Sequence, residues 1–199
     1  MVELIRRGQV AVDSYCAQLD LRRIFGRAGP LHVDLGCGDG SFLYALAERA
    51  PENNFLGIER LVGRVEKACR KAAKIENMRV LHLEISYAVE HLLPAGSVAL
   101  FHLMFPDPWP KRRHHRRRLI TPEFLDSIHA ALEETGFIRI ATDQFDYFET
   151  IKWFGRRHPG FSMVDPNDLD LPSTKFETTF RDQGAPIYRL ALRKISSVT

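Results

Sequence analysis

The chain has 199 residues, 45% of them hydrophobic and 27% charged, which suits one domain around a single core and excludes a disordered chain. Its 28 Lys and Arg against 25 Asp and Glu give a net charge of +3. Six of those cations fall in one octapeptide, Lys111-Arg112-Arg113-His114-His115-Arg116-Arg117-Arg118, and without it 22 cations face 25 anions. The positive charge is therefore local, which suits a polyanionic partner at one place.

Residues 1–28 read as a helical lead-in carrying apolar Val10, Tyr15, Leu19, Leu21 and Ile24. Strands then alternate with helices: Leu31–Leu35 is a strand, Ser41–Ala50 a helix, Asn54–Ile58 a strand and Leu61–Ile75 a helix. Arg79–Leu83 and Val98–Phe105 are the third and fourth strands. Thr121 caps the next helix, with Pro122 at its first position; Gly136 ends it, and Phe137–Ala141 is the fifth strand. Thr174–Phe180 and Ile187–Leu192 read as two strands joined at Asp182-Gln183-Gly184. The expected architecture is one α/β domain, a doubly wound, mostly parallel sheet with a C-terminal antiparallel hairpin. Residues 31–142 would form a ligand-binding core, and 143–199 a substrate-side helix and the hairpin.

The stretch 97–105 is the most apolar, but it is too short to span a bilayer and contains His102. Residues 1–7 hold no apolar run of signal-peptide length, and Cys16, Cys37 and Cys69 suit neither a disulfide framework nor a zinc site. A cytoplasmic chain without membrane or metal is expected.

The first strand runs into Gly36-Cys37-Gly38-Asp39-Gly40 and then a helix. Glycines in such a turn let backbone approach a ligand closely. A dinucleotide fingerprint would place its third glycine at position 41, which is Ser41, and no phosphate-loop lysine is present. The G-x-G-x-G spacing after Asp34 resembles the first motif of S-adenosylmethionine-dependent methyltransferases; a plain glycine-rich turn is the alternative. Glu59 closes the second strand and can accept hydrogen bonds from a ribose diol, or pair as a solvated carboxylate with Arg60. Glu84 follows the third strand, where it can meet an adenine amino group or stabilise a helix N-terminus.

The fourth strand ends in Phe105-Pro106-Asp107-Pro108-Trp109-Pro110. Carboxyl ends of strands in an open α/β sheet form the ligand crevice, and the prolines stiffen a loop that presents an acid and an indole there. Were the acceptor a base nitrogen with a free lone pair, such as guanine N7, no proton would be removed and the base would become cationic, so a fixed carboxylate at Asp107 would stabilise the developing charge. A loop-closing acceptor is the alternative for Asp107. The basic octapeptide follows at once; its charge density excludes burial, so it is either a solvated loop or a phosphate-binding one. Trp153, near Phe145, Phe148 and Phe154, reads as core.

Phe105 to Leu119, with Asp34-Leu35-Gly36-Cys37-Gly38, Ala141-Thr142-Asp143 and Thr174-Lys175-Phe176-Glu177, closely resembles the bacterial tRNA (guanine-N7-)-methyltransferases over most of the chain. The resemblance implies a class I, Rossmann-like methyltransferase using S-adenosylmethionine, with S-adenosylhomocysteine as product and no metal. It implies that Asp34, Gly36, Gly38, Gly40, Glu59, Glu84 and Asp107 hold the donor, with Asp107 also catalytic. Lys111, Asp143, Thr174, Lys175, Phe176 and Glu177 would form the pocket for the target, the variable-loop guanosine at position 46. Arg113, His114, His115, Arg116, Arg117 and Arg118 would hold the tRNA, the one partner implied, by a monomer or homodimer. Relatives place Asn/Gly-Asp-Ala where this chain has Leu83-Glu84-Ile85-Ser86, so Glu84 reaches one methylene further.

Overall fold

A computed structural model describes residues 7–165, 174, 177–178 and 182–195. The helix α1 (Leu21–Phe25) precedes β1 (Leu31–Leu35), α2 (Ser41–Arg49), β2 (Asn54–Glu59), α3 (Val62–Ala72) and β3 (Met78–His82). A short turn α4 (Ile85–Tyr87) runs into a π-helical turn, Ala88–Leu92, and then β4 (Val98–Met104). A 3₁₀ segment, Arg112–Arg117, leads to α5 (Pro122–Ala131), β5 (Leu132–Thr142), α6 (Phe145–Arg157), β6 (Phe161–Val164) and β7 (Tyr188–Lys194).

Seven strands form one sheet in the order β3-β2-β1-β4-β5-β7-β6. The first five pair in parallel, while β7 runs antiparallel to both β5 and β6. Strand order reverses between β1 and β4, so a crevice opens at their carboxyl ends. Each face is covered by helices that bury one stripe. On one face, Leu43, Leu46 and Ala47 of α2 and Val65, Ala68, Cys69 and Ala72 of α3 pack with Phe55, Met78 and Val80. The other face joins Leu56, Ile58, Phe101 and Leu103 to Phe124, Ile128, Tyr147 and Ile151 from α5 and α6.

A polar row interrupts the α2 side. Asp34 lies beside His102 on β4, and His102 beside Arg139 on β5. His102 is wholly buried, edge-on to Phe42 with ring centroids 5.5 Å apart, and neither ring nitrogen has a hydrogen-bond partner among the described residues. Burial, then the neighbouring His32 and Arg139, holds its pKa well below the usual histidine range. Burial likewise lowers His32 to about 4, against an opposing pull from Glu52.

Four expectations change. The lead-in is helical at Leu21–Phe25, but Gln9 forms a parallel bridge to Val80 and Val10 donates to the Val80 carbonyl. Val10 and Leu19 cover the sheet without a helix between them, and Asp20 opens α1 by accepting from the Arg23 N–H. Gly136 does not end α5: the helix stops at Ala131, and Gly136 lies within β5, where a Cβ would stand 2.9 Å from the Val98 carbonyl oxygen. That close approach accompanies a register slip between Val98 and Leu100. Thr174 does not start a strand, since its hydroxyl accepts from the Glu177 N–H and its carbonyl from the Thr178 N–H, closing a helical turn. The antiparallel C-terminal strands are instead β6 and β7; residues 175–176 and 179–180 lie outside the described residues. Finally, α6 buries Tyr147, Ile151 and Gly155, a stripe that turns Trp153 outward, and Trp153 is 52% exposed.

Candidate active site

The turn after β1 is built from backbone that only glycine adopts readily. Gly36, Gly38 and Gly40 have φ of 83°, 57° and 74°, and a Cβ on Gly40 would meet Ala68 of α3 at 2.9 Å. The Gly36 and Cys37 N–H groups both donate to the Ile58 carbonyl, at 2.9 and 3.0 Å. Lys71 from α3 clamps the far side, donating to the Asp39 carbonyl at 2.6 Å, while the Asp39 carboxylate accepts from the Ser41 N–H. Sequence reading missed Lys71, because the clamp joins residues 32 apart across a helix face.

Glu59 is 5% exposed and locks this turn to the end of β2. Its Oε1 accepts from the Arg60 and Leu61 N–H groups at 2.8 and 2.9 Å, and its Oε2 from the Gly38 N–H at 3.2 Å. The cation at this carboxylate is Arg64, 3.8 Å away; Arg60 contributes its backbone. A carboxylate has about four acceptor positions, so Oε2 keeps one for a ligand. Asp34 lies behind the glycine turn, buried, and no hydrogen bond among the described residues reaches its carboxylate. Burial first, and the Glu59 charge second, raise its pKa to about 7. Glu84 caps α4, accepting from the Tyr87 N–H at 2.9 Å, and stays exposed.

A cleft of about 780 Å³ opens at the strand ends, walled by Gly36, Glu59, Glu84, Asp107, Trp109 and Arg117 among others. Its far wall is the loop after β4. Phe105 and Trp109 bracket this loop at φ of 55° and 43°, a region costing L-residues about 1–3 kcal/mol each. Asp107 stands exposed between them. The loop is not closed through Asp107 by any hydrogen bond among the described residues; Arg118 closes it, donating from Nε to the Pro108 carbonyl at 2.9 Å.

Arg118 corrects the expectation that the octapeptide's charge density excludes burial. Its side chain is 5% exposed, and its guanidinium also donates to Thr150 Oγ1 at 3.2 Å and Asp146 Oδ2 at 2.5 Å while lying 4.7 Å from the Tyr147 ring centre. With three of its five N–H donors given to Pro108, Thr150 and Asp146, Arg118 anchors this loop. The other five cations, Lys111, Arg112, Arg113, Arg116 and Arg117, remain exposed. Arg117 covers the Trp109 ring at 4.8 Å, and His114 meets that ring edge-on at 5.8 Å. Arg113 donates to His114 Nε2 at 3.3 Å, and His115 stands 3.9 Å from Asp146.

The remaining sequence-identified residues among those described lie outside the cleft. Asp143 accepts from the Gln144 side chain at 2.6 Å; Gln144 itself occupies the cap position of α6. Thr174 is buried, and Glu177 pairs with Arg189 of β7. None of Lys111, Asp143, Thr174 or Glu177 lines the cleft, and Lys175 and Phe176 lie outside the described residues. Among the described residues no group of three or more His, Cys, Asp or Glu could hold a metal ion, and no helix is long and apolar enough to cross a membrane.

Comparison with known proteins fits this geometry. A family model described as "Putative methyltransferase" matches residues 28–190. The tRNA (guanine-N(7)-)-methyltransferase of Nitrosococcus oceani is 36% identical over 188 residues, covering 92% of this chain and 79% of that protein. That of Leifsonia xyli subsp. xyli is 40% identical over 193 residues, covering 92% and 85%. Among solved structures, the 16S rRNA methyltransferase KamB superposes with a TM-score of 0.63 at 17% identity, covering 90% of this chain and 94% of its own. The antibiotic-resistance methyltransferase Kmr gives 0.63 at 16%, covering 95% and 97%. At those identities the structures speak for the fold, a class I methyltransferase sheet.

Proposed function

The chain belongs to the tRNA (guanine-N(7)-)-methyltransferase family, and from that premise we propose that it methylates N7 of a tRNA guanosine, the variable-loop nucleotide at position 46, with S-adenosylmethionine as donor. One observation carries the reading: Asp107, on a rigid loop, faces a cleft walled on one side by Gly36, Glu59 and Glu84 and on the other by Arg116 and Arg117. Donor-binding groups and phosphate-binding groups thus flank Asp107.

The residues present fit the donor. Among the described residues Asp34 is a buried carboxyl without a hydrogen-bond partner, Glu59 keeps one acceptor position, and nothing lies within 4 Å of where a Gly38 Cβ would be. Asp34, Glu59 and Glu84 make the strand ends negative, which suits a ligand with a sulfonium and an ammonium group. When bound, the donor supplies a methyl group on positively charged sulfur. The guanine N7 lone pair needs no general base, so the chain must position the base and stabilise charge. Asp107 orients the base and meets the positive charge that grows on it. Trp109, fixed under Arg117, offers a flat surface to the base. A base in the tRNA core must be splayed out to reach the cleft, because N7 faces a deep, narrow groove in A-form helices. Arg116 and Arg117 then hold the backbone on either side. The enzyme works in the cytoplasm without a metal.

The test is methyl transfer to an unmodified tRNA transcript, read by nucleoside mass spectrometry. The product should be 7-methylguanosine, lost when guanosine 46 is replaced. If 7-methylguanosine survives that replacement, the position is wrong; any other methylated nucleoside overturns the reaction.

A further inference from the structure

Helix α6 carries a surface that the cleft does not use. Asp146, Thr150, Trp153 and Arg157 follow one another at spacings of four, three and four, so they form one stripe along the helix. The first half is occupied, since Asp146 and Thr150 hold Arg118 and through it the base of the basic octapeptide. The second half faces outward. Trp153 is 52% exposed, and the Arg157 guanidinium lies 4.6 Å from its ring centre.

The chain has two tryptophans, and each carries an arginine on its face, Arg117 on Trp109 and Arg157 on Trp153. The Arg118–Asp146 pair joins the segments that bear them. Charge around Trp153 favours an anion. Glu149 is paired with Lys152 at 3.2 Å, and the exposed Arg156 and Arg157 outnumber the remaining acid, Asp126, which His158 Nε2 meets at 3.0 Å. Along α6 the distance from Asp146 to Arg157 is about 16 Å at 1.5 Å per residue, the length of four to five nucleotides stacked at about 3.4 Å.

We infer that Trp153 and Arg157 form a second RNA contact, in which an unpaired base of the tRNA stacks on the indole while Arg157 meets a neighbouring phosphate. An exposed indole beside a cation is the arrangement that holds bases without reading their sequence. The inference rests on the proposed tRNA substrate, and its test separates the two.

Wild type, Trp153→Ala, Trp153→Phe and Arg157→Gln are compared for tRNA affinity across a salt series and for methyl transfer at saturating tRNA. Trp153→Ala should weaken tRNA binding at least about fivefold with an unchanged salt slope, the effect of losing one stacked base. Trp153→Phe should restore most of that loss. Arg157→Gln should lower the slope by about 0.7–0.9, one phosphate contact. Turnover at saturating tRNA should stay within about twofold of wild type in all three, because the stripe lies outside the cleft. A Trp153→Ala affinity within twofold of a wild type that methylates tRNA overturns the inference alone. So does a wild-type dimer in sedimentation that Trp153→Ala dissociates at unchanged tRNA affinity, since the occupant is then a second copy of the chain. A wild type that neither binds nor methylates tRNA overturns the substrate reading and this contact with it.

Discussion

Replacing Arg118 by alanine tests whether the loop after β4 is held or merely rests in place. Arg118 gives this loop a hydrogen bond at Pro108, ties it to Thr150 and Asp146 of α6, and lies over Tyr147. Hydrogen bonds from a buried charged group contribute about 1.5–3 kcal/mol each. The Asp146 side chain is 74% exposed, so that pair counts for no more than about 1 kcal/mol, and the ring contact for about 0.5–2 kcal/mol. Losing all of them removes about 3–5 kcal/mol once the non-additivity of neighbouring contacts is allowed for. Against this stands the strain at Phe105 and Trp109, about 2–6 kcal/mol together. The two sums are comparable, so the loop should leave its strained conformation when the anchor is gone. Relaxing the loop gives that strain back, so the net loss is smaller than the contacts alone, and the melting temperature should fall by less than about 10 °C in a chain of this length. Turnover by Arg118→Ala, assayed well below its melting point, should fall at least about tenfold with donor affinity unchanged, because a misplaced Asp107 acts on the transition state. Arg118→Lys, which keeps charge but loses the planar fork, should fall between the two. Full turnover in a folded Arg118→Ala refutes the anchoring role. A reduced salt slope for tRNA binding at normal turnover refutes it too, since Arg118 would then be a phosphate ligand.

Three further outcomes follow from the same geometry. Asp107→Ala should lose turnover below one-hundredth of wild type while tRNA and donor affinities stay within a few fold; wild-type turnover removes Asp107 from the chemistry. The Asp34 carboxyl, raised to about 7 by burial and by Glu59, is protonated at mildly acidic pH and attracts a cationic donor only when ionised. Donor affinity by calorimetry should therefore tighten as pH rises from about 5.5 to 7.5, and Asp34→Asn should flatten that rise; a rise that survives the substitution places its origin elsewhere. His102, buried with its pKa depressed, binds protons more readily in the unfolded chain, so stability should fall as pH drops below about 6.5. His102→Leu should melt higher than wild type by a margin that widens from pH 7 to pH 5; a constant margin would mean that titration of His102 contributes nothing.

Much of the sheet was legible because its signals are local. Five buried strand runs alternate with helical stripes, and Thr121-Pro122 announces α5 through a cap that the structure retains, with Thr121 Oγ1 accepting from the Phe124 N–H. The glycine turn was legible for the same reason, since three left-handed positions in five residues leave few readings. Errors fell where a local preference met a distant partner. Gly136 looks like a helix stop, yet its missing side chain serves the β4 backbone some forty residues earlier. Trp153 looks like core beside Phe154, but its place on α6 is decided by Tyr147, Ile151 and Gly155, which claim the buried stripe. Glu59 was found from its position at a strand end, but its bond from the Gly38 N–H could not be, because it depends on how the Gly36–Gly40 turn folds back over β2.

The basic octapeptide shows how far a charge run can be read. As a run it predicts a solvated strip, and five of its six cations obey. The sixth is buried because Asp146, Thr150 and the Pro108 carbonyl meet it from three directions, and two of those partners lie about thirty residues further along the chain. Desolvating a guanidinium is costly without such partners and acceptable with them. Burying Arg118 has a consequence for its neighbours. With its last residue fixed against α6 and Trp109 covered by Arg117, the octapeptide is held as a short 3₁₀ segment at the cleft. An arm held in place loses less conformational entropy on meeting phosphate than a free one. The same bonds that hold Asp107 therefore also hold Arg116 and Arg117. That coupling makes Arg118, held by Thr150 and Asp146 of α6, the residue that ties both halves of the site together.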